Sequence, residues 1–237
     1  MSPHDAARFA DYIESLPDFN YIDDDPYGHI GATIADAVLQ PQRDYASFVT
    51  PKTDRILRKW PHAKTLTPLL ELLESISASE FLDWKDNKDS ASWLGHRVER
   101  FSKIVSLFKN EGGIEAEDDL RSWFLDDSNP PKLYATWGVG QKTVNYLGSL
   151  VGLPWVAIDS RLSSFIGAAG LPISPSDLAA QREVVCHAAD ILGVDRRVLD
   201  HSIWVYAGNK KPAENANNAA SNRQCCPKGQ KDASLSA

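Results

Sequence analysis

Residues 137–143 read Trp-Gly-Val-Gly-Gln-Lys-Thr, and the local structure follows from this short run more clearly than from any other. Two glycines that flank one valine let the backbone turn sharply. Apolar residues then repeat every three or four positions through Val144, Leu147 and Val151, which predicts a helix that begins where the turn ends. The first N–H groups of a helix have no partner inside it and can bind an anion held in the turn. A nucleic-acid phosphate is the anion that this arrangement favours.

A second segment, Val156-Ala157-Ile158-Asp159, ends on an acid 17 positions after Lys142. Lys142 falls near the start of the predicted helix and off its apolar stripe. Asp159 can cap a helix that starts at Ser160, or it can face a cleft, and one carboxylate can do both. The two segments therefore supply an amine and a carboxylate that the fold could bring together.

The rest of the chain has helical periodicity and no strand alternation of useful length, so we expect an all-α fold. The apolar spacing in residues 1–22 predicts one amphipathic helix that ends near Pro17. Another helix ends at Gln40, because Pro41 restricts the residue before it. Ser174 is expected to cap a helix with Pro175 at its first position.

An apolar stripe from residue 94 to 108 predicts a further helix, and basic residues recur every third position beside that stripe. The ordinary interpretation of such residues is a solvated charged face. They are Arg97, Arg100 and Lys103.

Composition limits the classes that need to be considered. A chain of 237 residues with 43% hydrophobic residues can bury a core. The net charge is −7, but the segment 209–237 carries +3, so any contact with nucleic acid must be local. That segment is too polar to bury apolar surface, and we expect a disordered basic tail. No secretion signal or membrane span is apparent, which favours the cytoplasm, with the nucleoid, or the nucleus.

The run Gly-Val-Gly-Gln-Lys-Thr, followed by a helix, a short loop and Ala-Ile-Asp, resembles the signature of the helix-hairpin-helix DNA glycosylase superfamily, of the endonuclease III type. Residues 200–208 resemble the late helix of that type, and 35–40 resemble the early helix that ends in a wedge-bearing loop. The likeness covers about residues 28–209, but only the hairpin and Asp159 are specific.

The resemblance implies a role for each matching residue. Lys142 is the amine that attacks the sugar C1′, and Asp159 is the assisting carboxylate. Gln40 is the wedge that fills the gap left by an extruded nucleotide, with Gln42 as a close rival. Aromatic candidates for holding the extruded base are Tyr27, Trp93 and Trp204. The remaining DNA-binding candidates are Gly138, Val139, Gly140, Gln141, Thr143 and Arg161.

Several features depart from the family pattern. Trp137 stands where proline is usual, and Asp159 is followed by Ser-Arg in place of Thr-His or Val-His. The three cysteines, Cys186, Cys225 and Cys226, fit neither a zinc site nor a four-cysteine iron–sulfur cluster. We therefore expect no metal and no cofactor, although the family hairpin also allows a monovalent cation there.

The implied architecture has two helical lobes with the hairpin at the cleft between them. A central module spans 29–148, and residues 1–28 with 149–208 form the second lobe. The implied function is excision of a damaged or modified base from double-stranded DNA by a monomer, with Schiff-base lyase activity at Lys142. Two alternatives remain open: a monofunctional glycosylase that uses Asp159 only, and a non-catalytic helix-hairpin-helix DNA-binding module in which Lys142 contacts a phosphate.

Overall fold

The computed structural model describes residues 3–84 and 96–209, and within these ranges the chain is all-helical, with no strand. The helices are α1 (Pro3–Glu14), α2 (Ile30–Leu39), α3 (Thr50–Lys59), α4 (Leu66–Ser75), α5 (Ala78–Phe81), α6 (Arg97–Glu111), α7 (Glu117–Phe124), α8 (Pro130–Tyr134), α9 (Gln141–Leu150), α10 (Ser160–Ala168), α11 (Leu178–Leu192) and α12 (Arg196–Asn209). A π-helical turn, Tyr45–Val49, precedes α3. The all-α prediction is confirmed for this part of the chain. The candidate Trp93 lies outside it, and so does the predicted tail 209–237 except for Asn209, the last residue of α12.

Buried apolar residues form two clusters. The first contains residues between Ile30 and Leu153 and is built on α2, α6 and α9. The second combines α1 with residues from Val156 to Ile203. The chain passes from one cluster to the other between Leu153 and Val156, directly before Asp159.

Helix α2 lies at the centre of the first cluster, because nearly all of its residues are apolar and all ten are buried. His29 caps its N-terminus, where the Nδ1 atom accepts from the Ala32 N–H at 3.2 Å. The helix ends at Leu39, and Gln40 is its C-cap. Its single acid, Asp36, is fully buried in this apolar setting.

The expected solvated basic face on α6 is wrong for two of its three residues. Arg97 and Arg100 are buried, and only Lys103 lies at the surface, paired with Glu99 at 2.7 Å. The Arg97 guanidinium donates to the carbonyls of Leu39, at 3.3 Å, and Pro41, so it holds the loop after α2. Helical spacing predicted that these residues share one side of α6. It could not predict that the backbone carbonyls of Leu39 and Pro41 lie against that side.

One predicted helix end and one predicted helix start also differ from the structure. Helix α1 ends at Glu14, before the expected stop near Pro17. Helix α11 begins at Leu178 with Asp177 as its cap, whose side chain accepts from the Ala180 N–H at 3.0 Å. Ser174 stays outside the helix: its Oγ atom accepts from the Ser176 N–H at 3.3 Å, and its carbonyl accepts from the buried Gln181 amide at 3.0 Å.

Candidate functional site

Lys142 and Asp159 meet in space. Lys142 lies in the first turn of α9, and Asp159 directly precedes α10. The Lys142 Nζ atom is 3.3 Å from Asp159 Oδ2 and donates to Gln40 Oε1 at 2.9 Å. The lysine side chain keeps 31% of its surface exposed and the aspartate 15%. The pair is therefore reachable by a ligand while most of its surface is shielded from water.

Asp159 is held from two sides. Its Oδ1 atom accepts from the backbone N–H groups of Arg161 and Leu162 at 2.9 and 3.0 Å, which confirms the predicted cap of α10. Its Oδ2 atom accepts from the Trp204 indole N–H at 3.2 Å. One oxygen thus fixes the carboxylate to its helix, and the other faces both an indole and an ammonium.

The segment before Asp159 is anchored at both ends. The Asn145 side-chain amide on α9 donates to the Val156 carbonyl at 3.0 Å. The Ala157 N–H donates to Asp200 Oδ2 on α12 at 3.1 Å. Because α9 also carries Lys142, this one helix positions both the amine and the segment that leads to Asp159.

A cavity of about 350 Å³ opens in front of this pair, within the size range of small-ligand pockets. Residues from α9, α12, the π-helical turn and three connecting segments line it. They are Asp24, Asp25, Pro26, Tyr27, Gln40, Tyr45, Lys142, Tyr146, Ser149, Leu150, Ala157, Asp159, Arg197, Asp200, His201 and Trp204.

Three tyrosines in the cavity wall converge on the buried Asp36. The hydroxyls of Tyr27 and Tyr45 donate to Asp36 Oδ2 at 2.8 and 2.7 Å, and that of Tyr146 donates to Oδ1 at 3.1 Å. Burial raises the pKa of Asp36 to about 6, although the three phenols and Lys142 oppose the rise. Burial and the charge of Asp36 raise the pKa of each tyrosine, so the phenols stay protonated.

Asp200 is a second buried carboxyl in the wall, with 8% of its surface exposed. Burial raises its pKa to about 7, and the charge of Asp159 raises it further, while the Ala157 N–H and Lys142 lower it. At neutral pH this group is therefore poised between its neutral and ionised forms.

The cavity rim is acidic, and α12 pins it in place. His201 Nε2 lies 2.9 Å from Asp24 Oδ2, and Arg197 contacts both the Asp23 carboxylate and the Asp24 carbonyl, the latter at 2.9 Å. Burial lowers the pKa of His201, while Asp24 opposes this shift. The segment 23–26 is thereby fixed along one edge of the opening.

Trp204 lies among charged and aromatic neighbours. The Arg161 guanidinium carbon is 4.1 Å from its ring centroid, and the His201 ring lies parallel to it at 6.4 Å. The Tyr45 ring meets it edge-on at 5.3 Å. Arg161 thus contacts Asp159 through its backbone, while its side chain packs on the indole.

The two wedge candidates have different surroundings. Gln40 is 8% exposed and lines the cavity, with its side-chain oxygen on Lys142. Gln42 is exposed and has a φ of 56°, which places it in the left-handed region at a turn of the loop.

The hairpin residues lie between α8 and α9. Gly138 has a φ of 79°, and a Cβ added there would lie 3.0 Å from Arg100 Nε. Gly140 is the N-cap of α9 in an extended conformation, and a Cβ there would meet nothing within 4 Å. Val139 is buried between them. The fold itself thus requires glycine at 138 but not at 140.

The remaining two hairpin candidates face different surroundings. Gln141 is exposed, accepts from the Tyr134 hydroxyl at 2.6 Å and donates to Asn145 at 2.7 Å. Thr143 is half-buried. Gln141 thus links the hairpin to the residue that anchors Val156.

Sequence reasoning placed Tyr27, Gln40, Lys142, Asp159 and Trp204 among the candidates, and all five line the cavity. It missed Asp36, Tyr45, Tyr146 and Asp200 among others. A signal existed for Tyr146, which lies four positions after Lys142 on the same side of α9, and for Asp36, since one acid inside an apolar ten-residue helix has to find buried partners.

Comparison with protein-family models, with curated proteins and with solved structures finds no match to this chain. Among the described residues, no helix is long and apolar enough to cross a bilayer. In the same ranges, no three His, Cys, Asp or Glu side chains are grouped to hold a metal ion.

Proposed function

We propose that the protein is a DNA N-glycosylase that extrudes a damaged or modified base from double-stranded DNA, excises it, and cleaves the resulting abasic strand through a Schiff base at Lys142. In this proposal the two core clusters are the two lobes, and residues 137–143 form a helix-hairpin-helix element at the cleft.

The observation that carries the proposal is the 3.3 Å approach of Lys142 Nζ to Asp159 Oδ2 at the wall of a cavity that can hold one base. Cleavage of an N-glycosidic bond builds positive charge on the sugar ring. A fixed carboxylate stabilises that charge more in the transition state than in the ground state. An unprotonated amine at the same place can then attack C1′ as the base leaves.

The hairpin supplies the phosphate contact. Gly140 has an ordinary extended backbone and open space at its Cβ position, so a phosphate can approach the first N–H groups of α9 closely. Packing against the described residues does not explain glycine at this position. Approach of an external anion does explain it.

Of the two glutamines, Gln42 is the better wedge. A wedge must protrude into the duplex, and Gln42 is exposed on a tight turn. Gln40 acts inside the cavity, where its oxygen orients the Lys142 ammonium. Arg97 fixes the positions of both glutamines, because it donates to the Leu39 and Pro41 carbonyls.

Borohydride trapping tests the lyase step. A duplex with a preformed abasic site is incubated with the protein and reduced, and the covalent adduct is measured. We expect an adduct with the wild type and at least a 100-fold loss in Lys142→Gln. Lys103→Gln, which removes the same charge at an exposed site on α6, is the matched control and should keep the adduct.

Asp159→Asn tests the excision step. Asparagine is as good an N-cap as aspartate, so α10 keeps its start while the charge is lost. Base release from modified duplexes should fall by at least 100-fold. Release without any adduct would identify a monofunctional glycosylase. Salt-sensitive duplex binding that survives this variant, with no release from any duplex, would identify a non-catalytic DNA-binding module.

A further inference from the structure

We infer that the cavity selects its base by hydrogen-bond donors, so that the excised base is one that presents an amino group to the wall formed by Asp200 and the three tyrosines. This inference rests on the proposed function and deepens it by naming a chemical class of substrate. It follows from the partners that the hydrogen-bond donors of the wall already have within the protein.

The tyrosine donors are taken. A phenol has one O–H, and those of Tyr27, Tyr45 and Tyr146 all point at the Asp36 carboxylate, at 2.7 to 3.1 Å. What these hydroxyls can still offer a ligand is their oxygen lone pairs. Three groups that could serve either role are thereby fixed as acceptors.

The indole donor is also taken, and the Asp200 carboxylate adds a further acceptor. Trp204 has a single donor, and it is directed at Asp159 Oδ2. Asp200 uses Oδ2 on the Ala157 N–H, and its remaining oxygen adds another acceptor to the wall. Arg197 and His201 at the rim are engaged as well, because both contact the acidic segment Asp23-Asp24.

Among the described residues that line the cavity, the side-chain donors best placed for a ligand are Lys142, the amide nitrogen of Gln40 and the Ser149 hydroxyl. Lys142 and Gln40 lie at the side where the sugar C1′ must sit for the proposed chemistry, and the Ser149 hydroxyl can rotate to accept as well as to donate. The part of the cavity that meets the edge of the base is therefore acceptor-rich. An oxo group turned toward it sets lone pairs against lone pairs, whereas an amino group satisfies two acceptors at once.

The consequence is discrimination between bases that differ by one substituent. A site built to receive a donor rejects the analogue that lacks it far more strongly than an apolar pocket rejects an extra methyl group. We expect the amino-bearing base to be released at least about 5-fold faster than its oxo counterpart, which is the lower end for one unpaired buried polar group.

The test uses duplex pairs in which one amino group is exchanged for oxo: 5-hydroxycytosine and 5-hydroxyuracil, 5-hydroxymethylcytosine and 5-hydroxymethyluracil, and adenine and hypoxanthine. Each base is placed opposite an abasic analogue, so that Watson–Crick pairing does not differ within a pair. Release is followed under single-turnover conditions at pH 8. At least one pair should be processed, with the amino member faster.

Asp200→Asn assigns the preference to the wall. The asparagine oxygen can still accept from the Ala157 N–H, while its amide nitrogen turns an acceptor into a donor. The amino-to-oxo rate ratio should drop by several fold. Asp118→Asn removes the same charge from an exposed site on α7 and should leave the ratio unchanged.

Equal or faster release of the oxo members overturns the inference, and so does a failure to release either member of every pair. The adduct on a preformed abasic site separates this failure from that of the proposed function. If the adduct forms but the oxo bases are released faster, or no base is released, only the amino preference is overturned. The absence of both adduct and release removes the proposed function as well.

Discussion

Replacing Asp200 with asparagine should make the protein more stable at alkaline pH than the wild type. The pKa of the buried carboxyl rises from 3.8 to about 7 on folding, so the folded state holds a proton that the unfolded state has lost over that range. Stability therefore falls as pH rises, wherever the folded state binds more protons. The shift corresponds to roughly 4 kcal/mol, lost between about pH 4 and pH 8, at 1.36 kcal/mol per pKa unit.

Urea unfolding of the two proteins at pH 4.5, 6, 7 and 8, followed by tryptophan fluorescence, isolates this one group. Other carboxyls titrate in both proteins and cancel in the difference. The free energy of unfolding of Asp200→Asn, minus that of the wild type, should grow steadily with pH, by a few kcal/mol in total. A difference that changes by less than about 0.5 kcal/mol, the scatter expected of a surface substitution, would refute the claim that folding desolvates Asp200.

The site leads to four further predictions. Trp204→Phe keeps the ring beside Tyr45 but removes the N–H on Asp159, and should slow base release about 10-fold in single-turnover assays, with adduct formation on a preformed abasic site less affected. Gly138→Ala should destabilise the fold by about 1–2 kcal/mol in urea, because φ is 79° and the new Cβ meets Arg100. Gly140→Asp should leave stability unchanged but weaken duplex binding at least 10-fold in fluorescence anisotropy, with Gly167→Asp at an exposed position on α10 as the charge control. Lowering the pH through about 7 should reduce the amino-to-oxo rate ratio, because Asp200, beside Asp159 and Lys142, then gains a proton and becomes a donor. A ratio that is constant from pH 8 to 6 would contradict this assignment.

The amine and the acid could be found from sequence because both lie at helix starts. A glycine turn and a cap residue are local signals, and local signals survive without knowledge of the fold. The cap at Asp159 is confirmed for this reason. The cap expected at Ser174 is wrong because another acceptor three positions later, the Asp177 carboxylate, caps α11 instead.

The base-facing wall could not be found in this way. Tyr45 and Tyr146 are ordinary aromatic residues until Asp36 brings their hydroxyls to one point, and they lie 9 and 110 positions from it. Arg97 and Arg100 illustrate the same limit. Their spacing predicts a shared side of α6, but the carbonyls of Leu39 and Pro41 decide that Arg97 is buried there.

The contacts of Lys142 also order the two steps of the proposed reaction. In the resting site its ammonium is stabilised by Asp159 and by the Gln40 oxygen, and an ammonium cannot attack C1′. As the glycosidic bond breaks, positive charge on the sugar competes for the same Asp159 oxygen. Lys142 then loses its counter-ion, and its ammonium can give a proton to the base that leaves with the electron pair of the glycosidic bond, which frees the amine to attack C1′. Base departure and activation of the amine are thus coupled through one carboxylate, which Trp204 and the start of α10 hold in place.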